Sequence, residues 1–165
     1  MLNIDAVAPS HIMLAYANAK IKEESMSKIA IVYWSGTGNT QSMAEAVKAG
    51  AESSGATVDM FSPSEFNSSL VSGYDAIAFG CPAMGAEVLE ESEFDPMFTS
   101  VENSLSGKKV VLFGSYGWGD GHWMRDWEER CKSDNATLVT DSVIANNAPS
   151  DDDLENCSAL GRAIA

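Results

Sequence analysis

Residues 28–40 read KIAIVYWSGTGNT: a tyrosine and a tryptophan close a short apolar run, and six small or hydroxylated residues follow without a lysine. An apolar run with no polar alternation is the mark of a strand covered on both faces. A glycine-rich turn leading from such a strand into a helix lets backbone N–H groups face an anion. The stretch therefore predicts a buried parallel strand, and it poses a chemical question: which phosphate is held with no positive charge nearby?

Outward from this stretch the same unit recurs. Apolar runs KIAIVYW (28–34), TVDMFS (57–62), YDAIAFG (74–80), KKVVLFG (108–114) and TLVTDSVIA (137–145) alternate with helical stretches at 39–54, 92–104, 123–133 and 152–164. That is the pattern of a layered α/β sheet rather than a bundle or sandwich. The runs at 28, 74 and 108 are expected at the sheet centre, and the alternating TVDMFS nearer an edge. Ser92 is the expected N-cap of the second helix. In PSDDD, Ser150 or an early aspartate caps the last, and the acidic cluster there complements the helix dipole.

With 165 residues and 45% hydrophobic content the chain is long enough for one domain with a core of its own. Ten Lys and Arg stand against 24 Asp and Glu, a net charge of −14, which argues against nucleic acid and anionic membranes as partners. Cys81, Cys131 and Cys157 form no C-x-x-C pair and no zinc spacing, so they are expected to be structural thiols of a reducing compartment, with no metal site. No apolar run has the length of a membrane span, and the expected location is the cytoplasm. Residues 1–27 differ from the rest. They lack the pattern of a secretory signal or a transit peptide, residues 11–24 can form an amphipathic helix, and the segment is either a genuine appendage or a stretch upstream of a start at Met26.

In an open parallel sheet, ligands bind beyond the carboxyl ends of the central strands, which directs attention to the loops after 34, 80 and 114. In SGTGNT, Ser35, Thr37, Asn39 and Thr40 add neutral donors to the backbone of a phosphate nest. The triphosphate loop would require a lysine, and G-x-G-x-x-G fails because Gln41 stands where the third glycine belongs. A bare tight turn capped by Asn39 or Thr40 is the competing reading, and a terminal monophosphate is the ligand the nest suits. SYGWGDG sets Trp118 between glycines after a buried strand, a poor way to fill a core and a good way to offer a flat face to a ligand. Asp120 reads equally well as a cap for the helix that follows. Met84-Gly85-Ala86-Glu87 puts a polarizable side chain beside a freely rotating glycine, although Met84 alone is as well suited to filling a core gap.

Taken together, KIAIVYWSGTGNT, AMGAEVLEESEF and GKKVVLFGSYGWGDGHWMRDWEER resemble the short-chain flavodoxins of anaerobic bacteria, over residues 28–165. The uninterrupted TLVTDSVIANN resembles the short-chain rather than the long-chain group. The resemblance implies a flavodoxin-like doubly wound five-stranded parallel sheet of strand order 2-1-3-4-5 with FMN at the switch point, a rule for which flavodoxins are themselves a standing example. It further implies that Ser35, Gly36, Thr37, Gly38, Asn39 and Thr40 bind the FMN phosphate and that Met84 and Trp118 flank the isoalloxazine ring. Gly85 would lie at flavin N5, where its peptide turns over on one-electron reduction, and Glu87 near N3. Ser115, Tyr116, Gly117, Trp118 and Gly119 would line the other edge. Ala86 departs from the acidic or polar residue that relatives often carry there, which bears on the ease of that peptide flip.

The implied function is low-potential one-electron carriage by non-covalently bound FMN, with no substrate chemistry of the protein's own. Carboxylates at Glu87, Glu90, Glu91, Glu93, Asp120 and Asp126 would oppose adding negative charge to the flavin. The acidic run at 87–95 reads either as a docking face for basic redox partners of a monomeric carrier or as a solvated helix start. The alternatives are an FMN-dependent NAD(P)H quinone or nitro reductase on the same fold, for which no insertion offers a nicotinamide pocket, and a receiver-like signalling domain, whose strand-end aspartates are missing.

Overall fold

The computed structural model describes residues 10–24 and 26–165; residues 1–9 and 25 of the expected extension lie outside the described residues. β1 (Lys28–Tyr33) sits inside a wholly parallel sheet, between β2 (Thr57–Phe61) and β3 (Ala76–Gly80), with β4 (Lys109–Tyr116) beyond β3. The order is β2-β1-β3-β4-β5, where β5 is Thr137–Leu138, and β6 (Val143–Asn146) also pairs with β4. This is the expected strand order, with the fifth strand in two pieces.

The period-two geometry of a strand sends successive side chains to opposite faces, and both faces here are dry. Ala30, Val32, Ile77, Phe79, Val110 and Leu112 face α4 (Phe94–Val101) and α5 (His122–Ser133), in one core with Phe94, Phe98, Trp123 and Trp127. Ile29, Ile31, Ala76, Ala78, Val111 and Phe113 face α2 (Asn39–Ser53) and α6 (Asp151–Ile164), in another with Met43, Val47 and Leu160. The continuous apolar runs thus follow from the need to fill two cores at once. α2 and α6 touch through glycines: a Cβ on Gly161 would run into the backbone of Val47, and one on Gly50 into that of Ser158. Cys81, Cys131 and Cys157 are buried in these cores, and burial pushes their thiols up, to about 12 for Cys131 and Cys157.

The structure corrects the sequence reading in several places. The strand expected at 137–145 is interrupted: Val110 pairs with Leu138 but Phe113 with Val143, so three steps along β4 face five along its partner. The two extra residues fall in Val139–Ser142, where Thr140, Asp141 and Ser142 can bond to nearby backbone and so compete with the ladder. β4 in turn runs on to Tyr116, since Ser115 and Tyr116 pair with Ala145 and Asn146. A short 3-10 turn at Pro63–Glu65 and α3 (Ser68–Val71) join β2 to β3. They are too short for periodicity to reveal, although Ser62 and Glu65 form a capping box and Asn67 caps α3.

Last, Ser92 does not cap α4: the buried Glu90 carboxylate accepts the N–H groups of Ser92, Glu93 and Phe94 at 2.7, 2.8 and 2.8 Å. A carboxylate satisfies several helix-start donors at once where a hydroxyl satisfies one. By contrast Ser150 caps α6 as expected, in a capping box with Asp153. In the extension, α1 (His11–Glu24) is helical, yet Ile12, Met13, Leu14 and Tyr16 are all exposed at successive angles around the helix and form no single apolar stripe.

Candidate cofactor site

The chain leaves β1 for β2 on one side and returns to β3 on the other, so the loops after β1 and β3 diverge and open a crevice at the carboxyl ends of those strands. A cleft of about 330 Å³ lies there, lined by Trp34, Ser35, Gly36, Thr37, Asn39, Thr40, Pro82, Ala83, Met84, Ser115, Tyr116, Gly117 and Asn147. None of these side chains is charged. Among the described residues, the absence of lysine in SGTGNT is therefore not made good by a cation from a distant part of the chain.

The floor of the cleft is the turn from β1 into α2. Gly38 takes φ +99°, a left-handed conformation that glycine adopts without penalty, and it stands at the N-cap position of α2. The capping group is Ser35, whose Oγ accepts the N–H of Gly38 at 3.1 Å and of Gln41 at 3.3 Å, rather than Asn39 or Thr40. Among the described residues no protein acceptor takes up the N–H groups of Gly36, Thr37, Asn39 and Thr40. Four free donors at a helix start are a seat for an anion. Beneath them the hydroxyls of Thr40 and Ser115, both buried, lie 3.2 Å apart and tie the loop to β4.

One wall is the turn after β3. Met84 and Val88 exchange backbone hydrogen bonds at 2.8 and 3.0 Å, closing a tight loop over Gly85, Ala86 and Glu87. Gly85 has φ +50° and open space where a Cβ would stand, so backbone conformation alone calls for glycine. Glu87 is left-handed too, at φ +55°, an uncommon state for a residue with a Cβ. Its carboxylate reaches the loop after β4, where Oε1 accepts the N–H groups of Asp120 and Gly121 at 3.1 and 3.3 Å. It binds this loop to the next one and lies against Gly119.

The opposite wall is the end of β4 and the loop that follows. Trp118 is 64% exposed and Met84 is 38% exposed, so both large apolar side chains stand out of the core beside the cleft. The core-filling readings of both are thereby set aside. The tryptophan loop turns at Gly119 and Gly121, with φ +89° and +92°, before entering α5. The Asp120 carboxylate pairs with Arg125 at 2.9 Å, and that guanidinium, with a smaller contribution from the N–H of His122 at the start of α5, holds it below the usual aspartate range.

Of the expected site residues, Ser35, Gly36, Thr37, Asn39, Thr40, Met84, Ser115, Tyr116 and Gly117 line the cleft directly. Gly38, Gly85, Ala86, Glu87, Trp118 and Gly119 sit in the loops that frame it. Trp34, Pro82, Ala83 and Asn147 also line it and were not anticipated. Asn147, at φ +59°, follows β6 and donates its N–H to the Tyr116 carbonyl at 2.7 Å. Asn-Asn before a proline two residues on is a turn signal that could have placed it.

The carboxylates expected to bear on the flavin are mostly engaged. Glu87 and Glu90 accept backbone N–H groups, Glu93 accepts the Trp34 indole N–H at 2.8 Å, and His122 lies 3.1 Å from Asp126. Burial would raise the Glu90 carboxyl, but the N–H groups of Phe94, Glu93 and Ser92 together outweigh it and hold the group below the usual glutamate range.

Residues 31–161 match the family model described as Flavodoxin. A flavodoxin of Clostridium beijerinckii is 48% identical, over 82% of this chain and 97% of its own length. A flavodoxin of Megasphaera elsdenii is 44% identical, over 83% of this chain and 98% of its own. The solution structure of two-electron reduced Megasphaera elsdenii flavodoxin superposes with a TM-score of 0.76 at 45% identity, covering 82% of this chain and 97% of that one.

Proposed function

Because this chain belongs to the flavodoxin family, it is an electron carrier that binds FMN, and we propose that it works at low potential, passing electrons singly to redox enzymes with no substrate chemistry of its own. The observation that carries this reading is the neutral cleft with four free N–H donors at its floor. A phosphate monoester at that point meets the donors and the positive end of the α2 dipole, and needs no counter-ion. The residues present therefore fit FMN: Ser35 to Thr40 would hold its phosphate, Met84 and Trp118 the two faces of its ring, Gly85, Ala86 and Glu87 one edge, and Ser115 to Gly119 the other.

Bound FMN supplies the reversible electron uptake, and the protein sets how far that uptake is favoured. With no cation lining the cleft among the described residues, the phosphate keeps its charge, and the carboxylates of Glu87, Glu91 and Glu93 add to it. Further negative charge on the ring is then opposed by like charge, which favours strongly reducing behaviour. Anaerobic reductive titration followed by the visible spectrum should resolve two one-electron steps, the second much the lower. A single two-electron step would overturn one-electron carriage.

Trp118 gives a second test. An exposed indole that stacks on a flat ring contributes on the order of 1 to 3 kcal/mol. Trp118→Ala should weaken FMN binding about tenfold or more, and riboflavin binding by the same factor, because the contact is with the ring and not with the phosphate. Flavin fluorescence quenching measures both.

No relative reported above supports the reductase alternative. Residues 28–165 are read as the FMN domain and residues 1–27 as an extension of it. Among the described residues no helix is long and apolar enough to cross a membrane. With a net charge of −14, the carrier is read as a cytoplasmic monomer that docks on basic surfaces of its donors and acceptors, with association that slows as salt rises.

A further inference from the structure

We infer that Glu93 is a positioning residue for the phosphate seat, acting through Trp34; this rests on the phosphate reading of the SGTGNT turn given above. The Trp34 indole stands between two spaces. On one side is the cofactor cleft, and on the other a separate groove of about 400 Å³ bounded by Tyr33, Gln41, Met60, Ser62, Glu65 and Glu93. A half-buried indole with open volume behind it has room to swing away. It is held by the bond from its Nε1–H to Glu93 Oε2, at 2.8 Å across 59 residues of sequence.

The ring so held is what the phosphate turn rests on. A Cβ built on Gly36 would come within 3.0 Å of Trp34 Cη2 and 3.3 Å of Cζ3, so the backbone of Gly36 is seated directly against the benzo edge of the indole. Glu93 is itself fixed, because its N–H donates to the buried Glu90 carboxylate at 2.8 Å. A continuous series of contacts thus runs from Glu90 to Glu93, from Glu93 to the indole, and from the indole to the turn whose free N–H groups would meet the phosphate. It joins the start of α4 to the start of α2, two segments that do not share a ladder.

Simple electrostatics assigns Glu93 the opposite effect. A carboxylate near a phosphate seat repels the dianion, so removing it should tighten FMN binding. If instead Glu93 acts by holding Trp34, Glu93→Ala should weaken FMN binding about five- to tenfold. Glu93→Gln, which keeps an acceptor for the indole and removes the charge, should bind FMN at least as well as the unaltered protein. Riboflavin, which lacks the phosphate, should bind all three proteins within about twofold, which also shows that the variants are folded.

The experiment is titration of FMN and of riboflavin into the full chain carrying Glu93→Ala, Glu93→Gln, Trp34→Phe, or Glu93→Ala with Trp34→Phe together. The double variant should be no weaker for FMN than Trp34→Phe alone, since the first change acts only through the second side chain. Unchanged or tighter FMN binding by Glu93→Ala overturns the inference, as does equal loss of riboflavin. If the unaltered protein shows no preference for FMN over riboflavin, the phosphate reading of the turn fails instead.

Discussion

Replacing Gly161 with alanine should lower the midpoint of thermal unfolding by roughly 6 °C, where helix propensity alone would raise it. In an unpacked helix the exchange stabilises by about 1 kcal/mol. Here the added Cβ would meet the carbonyl oxygen of Val47, the nitrogen of Ala51 and the carbonyl carbon of Gly50, all of them backbone atoms of α2. Backbone cannot rotate aside as a side-chain tip can, so α2 and α6 must move apart and the core of Met43, Val47 and Leu160 opens with them. Overpacking of this kind costs about 3 kcal/mol, and in a domain of this size each kcal/mol moves the midpoint by about 2 to 4 °C. A rise in the midpoint of Gly161→Ala would show that the two helices are not in backbone contact.

Glu90→Ala should cost about 3 kcal/mol of stability near neutral pH, measured by urea denaturation. Glu90 is 6% exposed, and its carboxylate accepts three consecutive backbone N–H groups. Its removal leaves those donors, of which that of Phe94 is buried, without their protein acceptor. The pH dependence has a definite sign. The folded-state pKa is held below the usual value, so the stabilisation is fully present above the ordinary glutamate pKa of 4.5 and is lost as pH falls below it. The stability difference between the unaltered protein and Glu90→Gln should therefore be largest at neutral pH and shrink in acid. A difference that stays constant down to pH 3 would mean that the carboxylate is no better bonded in the folded chain than in the unfolded one.

What was legible in the sequence follows from which interactions are local. The turn from β1 into α2 and the tryptophan loop could be read because strand, glycine and polar donors are adjacent in the chain. Their companions could not. Trp34 looks like the last residue of a buried strand, and only its bond to Glu93 and its contact with Gly36 reveal a part of the site. Glu90 lies outside the helix it caps, reaching forward four residues to Phe94, beyond where capping patterns are sought. Glu87 was expected at the flavin, and its carboxylate is found on the N–H groups of Asp120 and Gly121, a link over 33 and 34 residues that no spacing rule signals. The break in the last strand depends on its register with β4, and register is a property of the pair.

That break has a consequence for how the molecule behaves in company. The far side of the sheet ends in a strand of two residues and one of four, offset by two positions, instead of one long straight border. An incoming chain seeking to extend the sheet would find no unbroken row of donors and acceptors to zip against, so self-association by strand addition is disfavoured there. A carrier that works by diffusing between partners gains from a sheet margin that does not invite strand addition.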